Sequence, residues 1–237
     1  MSGGSGVSGG SGVGSASGVD GGSGSGAGLL GRSVRFSGRI AGFGTASGTR
    51  IVVGMWQRSP FGSFADLMVE DATGHRTLFA PTPETADFIA STYRFDEVRV
   101  VPVRLRRVAG GLAVDADSGA SGDGMLAVRL RVGEVSGLGR LLRAVPQVVA
   151  TSPVWLSAID PIARRVMAGV RTAGTAGGGR REFYGVTVVR RIAWASATLD
   201  GVDLGAFAPL DPPVRFGFGS APSEPSIVDV TTTIRPA

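Results

Sequence analysis

Short runs of β-branched and aromatic residues, each closed by glycine, serine or proline, restrict the folds open to this chain more than any other feature. Residues 34–40, 50–56, 64–70 and 75–79 are runs of this kind and read as strands. Asp71-Ala72-Thr73-Gly74 reads as a four-residue hairpin loop with glycine where positive φ is favoured. Thr82-Pro83-Glu84 supplies an N-cap, a first-turn proline and an acid at the positive end of the helix dipole, which predicts a short helix to about Thr92. Strand patterning resumes at 97–108, 111–116 and 125–132 as a meander, with loops at Gly110-Gly111 and 117–124.

Between 138 and 170 the pattern changes. Trp155, Ile159, Ile162, Val166 and Val170 recur at helical spacing and predict one apolar helix face. Ser152-Pro153 and Asp160-Pro161 each read as an N-cap followed by proline, so two helical pieces with a kink are expected, after a candidate helix at 138–149 limited by Pro146. Beyond the glycine-rich loop at 174–179, strands are expected at 183–189 and 192–199 with a hairpin turn at Asp200-Gly201. A last pair alternates cleanly: Val214, Phe216 and Phe218 in one strand, Val228, Val230, Thr232 and Ile234 in the other.

The fold expected is α+β and predominantly antiparallel β, a bent sheet or barrel-like domain with a helical insertion at about 138–170. Strands on both sides of the insertion favour one domain over residues 32–237. Residues 1–31 hold 14 glycines and 8 serines, with Asp20 their only charge, and read as a disordered tail with almost nothing to bury.

Composition enters when chemistry is asked for. All 24 basic residues are arginine, cysteine is absent, and His75 is the one histidine. Schiff-base and thiol catalysis are thereby excluded, as are the common zinc sites, so neither a metal nor a cofactor is expected. The net charge of +5 invites a nucleic-acid reading. It is weakened by 19 interspersed carboxylates and by the lack of aromatics among the arginines to stack on bases. Replacement of every lysine by arginine is also what a GC-rich coding sequence produces. The amino terminus has no basic stretch followed by an apolar run, and no segment gives some 18 uninterrupted apolar residues, so a cytoplasmic chain without a transmembrane segment is expected.

Four places are candidates for chemistry. Gly42-Phe43-Gly44 with Gly48 approaches a dinucleotide fingerprint, but residues 45–53 favour a turn and strand where that motif needs a helix. Arg180 and Arg181 flank the glycine loop and could converge with its N–H groups on an anion, and Arg58, among Trp56, Phe61 and Phe64, could rim an apolar pocket for a small anionic ligand. Closure of the 71–74 loop is expected to place Glu70 across from His75, the one local acid/base pair implied; an exposed structural pair is the alternative. Asp66 shares a strand face with Glu70, but roughly 13 Å separates their backbones, too far for a carboxylate dyad. Asp115, Asp117 and Asp123 lack the glycine and glutamate of a calcium loop, and Arg104, Arg106, Arg129 and Arg131 read as the wet side of a sheet.

The segments Ser59-Pro60-Phe61-Gly62-Ser63-Phe64-Ala65-Asp66, Gly178-Gly179-Arg180-Arg181-Glu182-Phe183-Tyr184-Gly185 and Asp211-Pro212-Pro213-Val214-Arg215-Phe216-Gly217-Phe218-Gly219-Ser220 resemble those of an uncharacterised protein family of GC-rich bacteria. The resemblance spans most of residues 33–237 and implies no activity and no catalytic residue. In size and strand richness the chain is also similar to the acetoacetate-decarboxylase-like barrels, a likeness that implies at most a shared fold, since those enzymes rely on a lysine absent here. Three functions remain: a β-rich domain binding a small anionic or amphipathic ligand through Arg58, Arg180 and Arg181; a hydrolase or isomerase using His75 with a carboxylate; and an interaction protein meeting an acidic partner or membrane through Arg140, Arg143, Arg164 and Arg165.

Overall fold

The computed structural model describes residues 26–29, 31–117, 125–166, 171–217 and 222–236. After the short helix α1 (Gly26–Leu29), the strands β1 (Val34–Thr45), β2 (Arg50–Arg58), β3 (Phe64–Glu70) and β4 (Arg76–Ala80) run as an antiparallel meander. Helix α2 (Pro83–Thr92), with Thr82 as its N-cap and a reciprocal capping box to Thr85, carries the chain to β5 (Glu97–Val100), parallel to β4. A second meander follows: β6 (Val103–Val108), β7 (Gly111–Ala116) and β8 (Leu126–Val135). Helices α3 (Gly137–Leu142), α4 (Gln147–Ala150) and α5 (Pro153–Val166) then lead into β9 (Ala173–Thr175), β10 (Arg181–Leu199), β11 (Val202–Asp203), β12 (Phe207–Ala208) and β13 (Ser226–Arg235).

The strands form one sheet in the order β5-β4-β3-β2-β1-β13-β10-β8-β7-β6. Strand β10 joins its two halves, pairing with β13 in its first part and with β8 in its second. Its register shifts near Val186–Val188 and again between Arg190 and Trp194, and such bulges bend a strand. The sheet therefore curls into a half-barrel. Odd-numbered residues of the first meander, Phe43, Ile51, Val53, Leu67 and Phe79, fill its inside against Val114, Leu126, Val128 and Leu130 from the second.

Even-numbered residues of β1 to β3 point the other way. They align with even positions of β13 and β10 in continuous rows, such as Tyr184–Thr232–Phe36 and Val228–Ile40–Gly54–Asp66. Helix α2 and the segment around Phe216 lie over this outer face. The strands of the sheet's centre are thus covered on both sides, which is why they read as nearly continuous apolar runs.

Several expectations are corrected. Leu29, expected in a structureless tail, packs against the cluster of Phe36 and Phe88, while residues 1–25 lie outside the described residues. Asp160 does not start a second helical piece. Pro161 sits inside α5, and the buried Asp160 carboxylate accepts the backbone N–H groups of Thr172 and Ala173 at 2.7 and 3.0 Å. The packed face of α5 is Leu156 with Ile159, whereas Trp155 and Ile162 are exposed; Val166 and Val170 fall where side chains are not described. The glycine loop is largely a hairpin, β9 folding back on β10 through a 3-10 turn at Gly177–Gly179. Residues 214–217 form no strand. Phe216 is buried against Phe95, its carbonyl accepts from the Arg94 N–H at 2.6 Å, and β13 pairs instead with β1 and β10. Phe218 lies outside the described residues.

Leu156→Ala is expected to cost about 2–5 kcal/mol in urea unfolding, and Ile162→Ala less than about 0.5 kcal/mol. Equal effects would restore the helix face read from the sequence.

Candidate functional site

Between the outer face of the sheet and α2 lies a cavity of about 100 Å³. Its walls are largely apolar: Phe36, Ile40, Val52, Trp56, Phe64, Met68, Phe88, Val228 and Ile234, closed over by Val214 and Phe216. That volume holds several waters or a small organic molecule, somewhat under the roughly 150 Å³ that accepts a benzene ring.

Asp66 projects into this apolar wall from the middle of β3. It is 1% exposed, its Oδ1 accepts the Trp56 Nε1–H at 2.8 Å, and its Oδ2 has no hydrogen-bond partner among the described residues. Burial pushes its pKa up to about 6, against the smaller lowering by the indole hydrogen bond. The glycine opposite makes the arrangement possible. A Cβ at Gly54 would lie 2.3 Å from Asp66 Oδ1 and 2.8 Å from Trp56 Nε1, so any other residue would displace the pair. Thr232, also on the cavity wall, has a buried hydroxyl without a partner among the described residues.

A second acid sits at the cavity's edge. Glu182 of β10 is wholly buried and is hydrogen-bonded by the Tyr93 and Tyr184 hydroxyls, which are themselves 2.7 Å apart and line the cavity. Burial drives its pKa up to about 7, with the two hydroxyls and the nearby Arg180 guanidinium opposing. The Tyr93 phenol is held well above its ordinary value, by burial first and then by Glu182. Of the two carboxyl groups with raised pKa values, Asp66 lines the cavity and has an oxygen free to meet a ligand, whereas Glu182 stands behind the two tyrosines.

The structure separates the residues picked out from the sequence. Glu70 does not face His75, because the hairpin closes one residue later: Asp71 N–H donates to the His75 carbonyl at 3.0 Å, and Glu70 pairs with Arg76. Gly74, with φ of 91°, completes a three-residue turn, and the one-residue difference sends the two side chains to different partners. Glu70 is fully buried, 3.3 Å from Arg50 Nη2, and accepts from the Arg215 backbone N–H at 2.7 Å and Nε at 3.2 Å. His75 is half exposed, 3.6 Å from Glu97.

Arg180 and Arg181 do not converge, since successive strand residues face opposite ways. Arg180 is buried over Phe88 and donates to the carbonyls of Gly177 and Ser91 at 2.9 and 2.6 Å, where Ser91 ends α2; its Nη1 has no partner. Arg181 is exposed above Phe183. Arg58 is exposed at the end of β2, away from the cavity. Arg106 and Arg129 both pair with Asp115, and Arg104 lies 3.6 Å from Asp117, so carboxylates answer this basic stripe; Asp123 lies outside the described residues. Residues 42–48 are a hairpin turn into β2, with no helix.

The Asp66–Trp56 pair and the Glu182 cluster were missed. The available signal was a carboxylate at an inward position of an alternating strand, as in Phe64-Ala65-Asp66-Leu67-Met68-Val69.

Both acids keep protons in the folded state at pH values where the unfolded chain has released them. The stability these two groups contribute is therefore fully present at low pH and is lost as pH rises toward and through 6 to 7. Asp66→Asn removes the Asp66 share of this fall, so its stability relative to the parent should gain on the order of 2 kcal/mol between pH 4 and pH 8. Thermal unfolding across that range checks it, and an unchanged difference contradicts it. Glu70→Ala, which leaves the buried Arg50 without its carboxylate, is expected to cost about 3–5 kcal/mol in the same assay.

No protein-family model matches the chain, nor does any curated protein. Among solved structures, the acetoacetate decarboxylase from Legionella pneumophila subsp. pneumophila str. Philadelphia 1 is similar at a TM-score of 0.44 and 9% identity, over 87% of this chain and 86% of that one. A second acetoacetate decarboxylase structure gives a TM-score of 0.39 and 10% identity over the same shares. Likeness at this level carries nothing about activity.

Proposed function

We propose that the chain is a ligand-binding domain whose cavity takes a small, mostly apolar molecule with one uncharged polar group. The observation that carries this reading is the Asp66 Oδ2, buried in an apolar wall without a partner among the described residues. A polar atom left so costs roughly 1–3 kcal/mol, and a ligand hydroxyl or carbonyl recovers it. Below about pH 6 the carboxyl can donate a hydrogen bond, and above it the carboxylate accepts one. By the benzene scale a ligand of about four to six heavy atoms fits. His75, on which a hydrolase or isomerase would depend, lines no part of this cavity.

The test compares 2-butanol with 2-methylbutane, which differ by a hydroxyl in place of a methyl group. The Trp56 indole N–H resonance reports on the hydrogen bond to Asp66. It is expected to shift on titration with 2-butanol at concentrations where 2-methylbutane has little effect, and Asp66→Ala should remove the preference. Entry of neither compound, or equal binding of both, overturns the reading.

A partner or membrane reading has one observation in its favour. Leu141, Val148, Val154, Trp155 and Ile162 are exposed on the helical insertion near the exposed Arg140 and Arg143. Among the described residues no helix is long and apolar enough to cross a membrane. Retention on anionic liposomes that Trp155→Ser with Ile162→Ser abolishes would support this reading; retention unchanged by the pair would refute it.

A further inference from the structure

On the face of β1 and β13 opposite the cavity, we infer a binding groove for a compact polyanion, a small molecule bearing two or more phosphate groups. It does not depend on the cavity reading. The groove encloses about 720 Å³ and is lined by Arg35, Arg39 and Arg58 with one acid, Asp229.

Its construction follows from register. Arg35, Ser37 and Arg39 are alternate residues of β1 and share a face, with Thr231 beside Ser37 and Asp229 beside Arg39 on β13. Regular pairing would set Gln57 opposite Ser37 and turn Arg58 toward the cavity. Instead the register shifts between Ser37 and Gly38, so that Gly38 pairs with Trp56 and Ser37 with Arg58. Gln57 is the extra residue, and the bulge turns Arg58 to the groove side. The far wall is α4, which lies against β10 where Gly185 has no side chain; a Cβ there would sit 2.8 Å from the Ala150 carbonyl oxygen.

The electrostatics are lopsided. Asp229 is shared by Arg39 at 2.9 Å and Arg190 at 3.0 Å, which leaves an excess of positive charge around it. Arg35 and Arg58 have neither a hydrogen-bond nor an ion-pair partner among the described residues. Guanidinium groups hold phosphate oxygens bidentately, and two free ones beside a half-neutralised third make a site for multiple negative charge. Arg35 and Arg39 leave the backbone roughly 13 Å apart, with Arg58 between them on the next strand. That span and the groove's volume exceed what one phosphate fills. Among the described residues no aromatic side chain lines the groove, so it lacks the stacking platform on which single-stranded nucleic acid relies.

Calorimetric titration with inorganic tripolyphosphate at fixed ionic strength tests the inference. Tripolyphosphate is expected to bind at least tenfold more tightly than orthophosphate, and Arg35→Ala with Arg58→Ala should weaken it at least tenfold. Arg58→Lys should recover part of the loss, because charge returns without the bidentate fork. Arg181→Ala, an exposed arginine outside the groove, should change nothing. The inference fails if the double variant binds as the parent does, if orthophosphate and sulfate bind as tightly as tripolyphosphate, or if a short oligonucleotide binds far more tightly than tripolyphosphate. The 2-butanol response at Trp56 should be unaffected in the double variant, so the two sites stand or fall separately.

Discussion

The two-residue period of the strand, held in register across β10, β13, β1, β2 and β3, is the constraint on which everything else in this molecule rests. Each strand delivers alternate residues to a half-barrel interior and to an outer face under α2. A slip of one residue would exchange the two sets and bury arginines in the apolar interior. Both faces being covered, the register is fixed from two sides at once. The cavity and the polar groove are therefore separated by no more than the thickness of the sheet. Thr231 and Thr232, adjacent in sequence, belong one to each.

Three fully buried carboxylates show how differently a protein can treat the same group. Glu70 is surrounded by Arg50 and Arg215, and its bond to the Arg215 N–H ties the segment at 214–217 down over the cavity. Asp66 has an indole N–H and nothing else, so desolvation dominates and its proton is retained to about pH 6. Glu182 has two phenols and the nearby Arg180 guanidinium, and desolvation still prevails. Arginine partners on both sides mark the structural acid, while Asp66 and Glu182, each with an oxygen unpartnered among the described residues, are poised to exchange a proton or a partner.

The sequence showed where strands and turns would form because those depend on neighbours in the chain. The cap at Thr82, the runs in β1 to β4 and the turn at Asp200-Gly201 all obey local rules, and the structure has them. What it concealed depends on which strand lies beside which. Whether Glu70 meets His75 or Arg76 turns on one residue of hairpin closure, and Asp66 finds Trp56 only through the β2–β3 register. The alternation at 214–217 was real, with Phe216 buried, but it records an extended segment packed on aromatic rings and not a ladder. In α5, Leu156 outranks Trp155 because of where β10 presents Phe183, a fact absent from the helix's own periodicity. Of the arginines chosen from sequence, Arg180 is tied to the end of α2 and Arg58 stands over the groove.

The extra residue in β2 makes the pairing of that strand, and not only its composition, part of the molecule's surface chemistry. A shift that set Gln57 opposite Ser37 would alter no residue and no charge. It would nevertheless restore regular pairing with β1 and roll the Arg58 side chain through half a turn, onto the side of the sheet occupied by Trp56 and Phe64. Loss of Gln57, by contrast, would straighten the strand and leave Arg58 opposite Ser37. Which way an arginine faces is thus written in the ladder between two strands, and a list of residues does not record it.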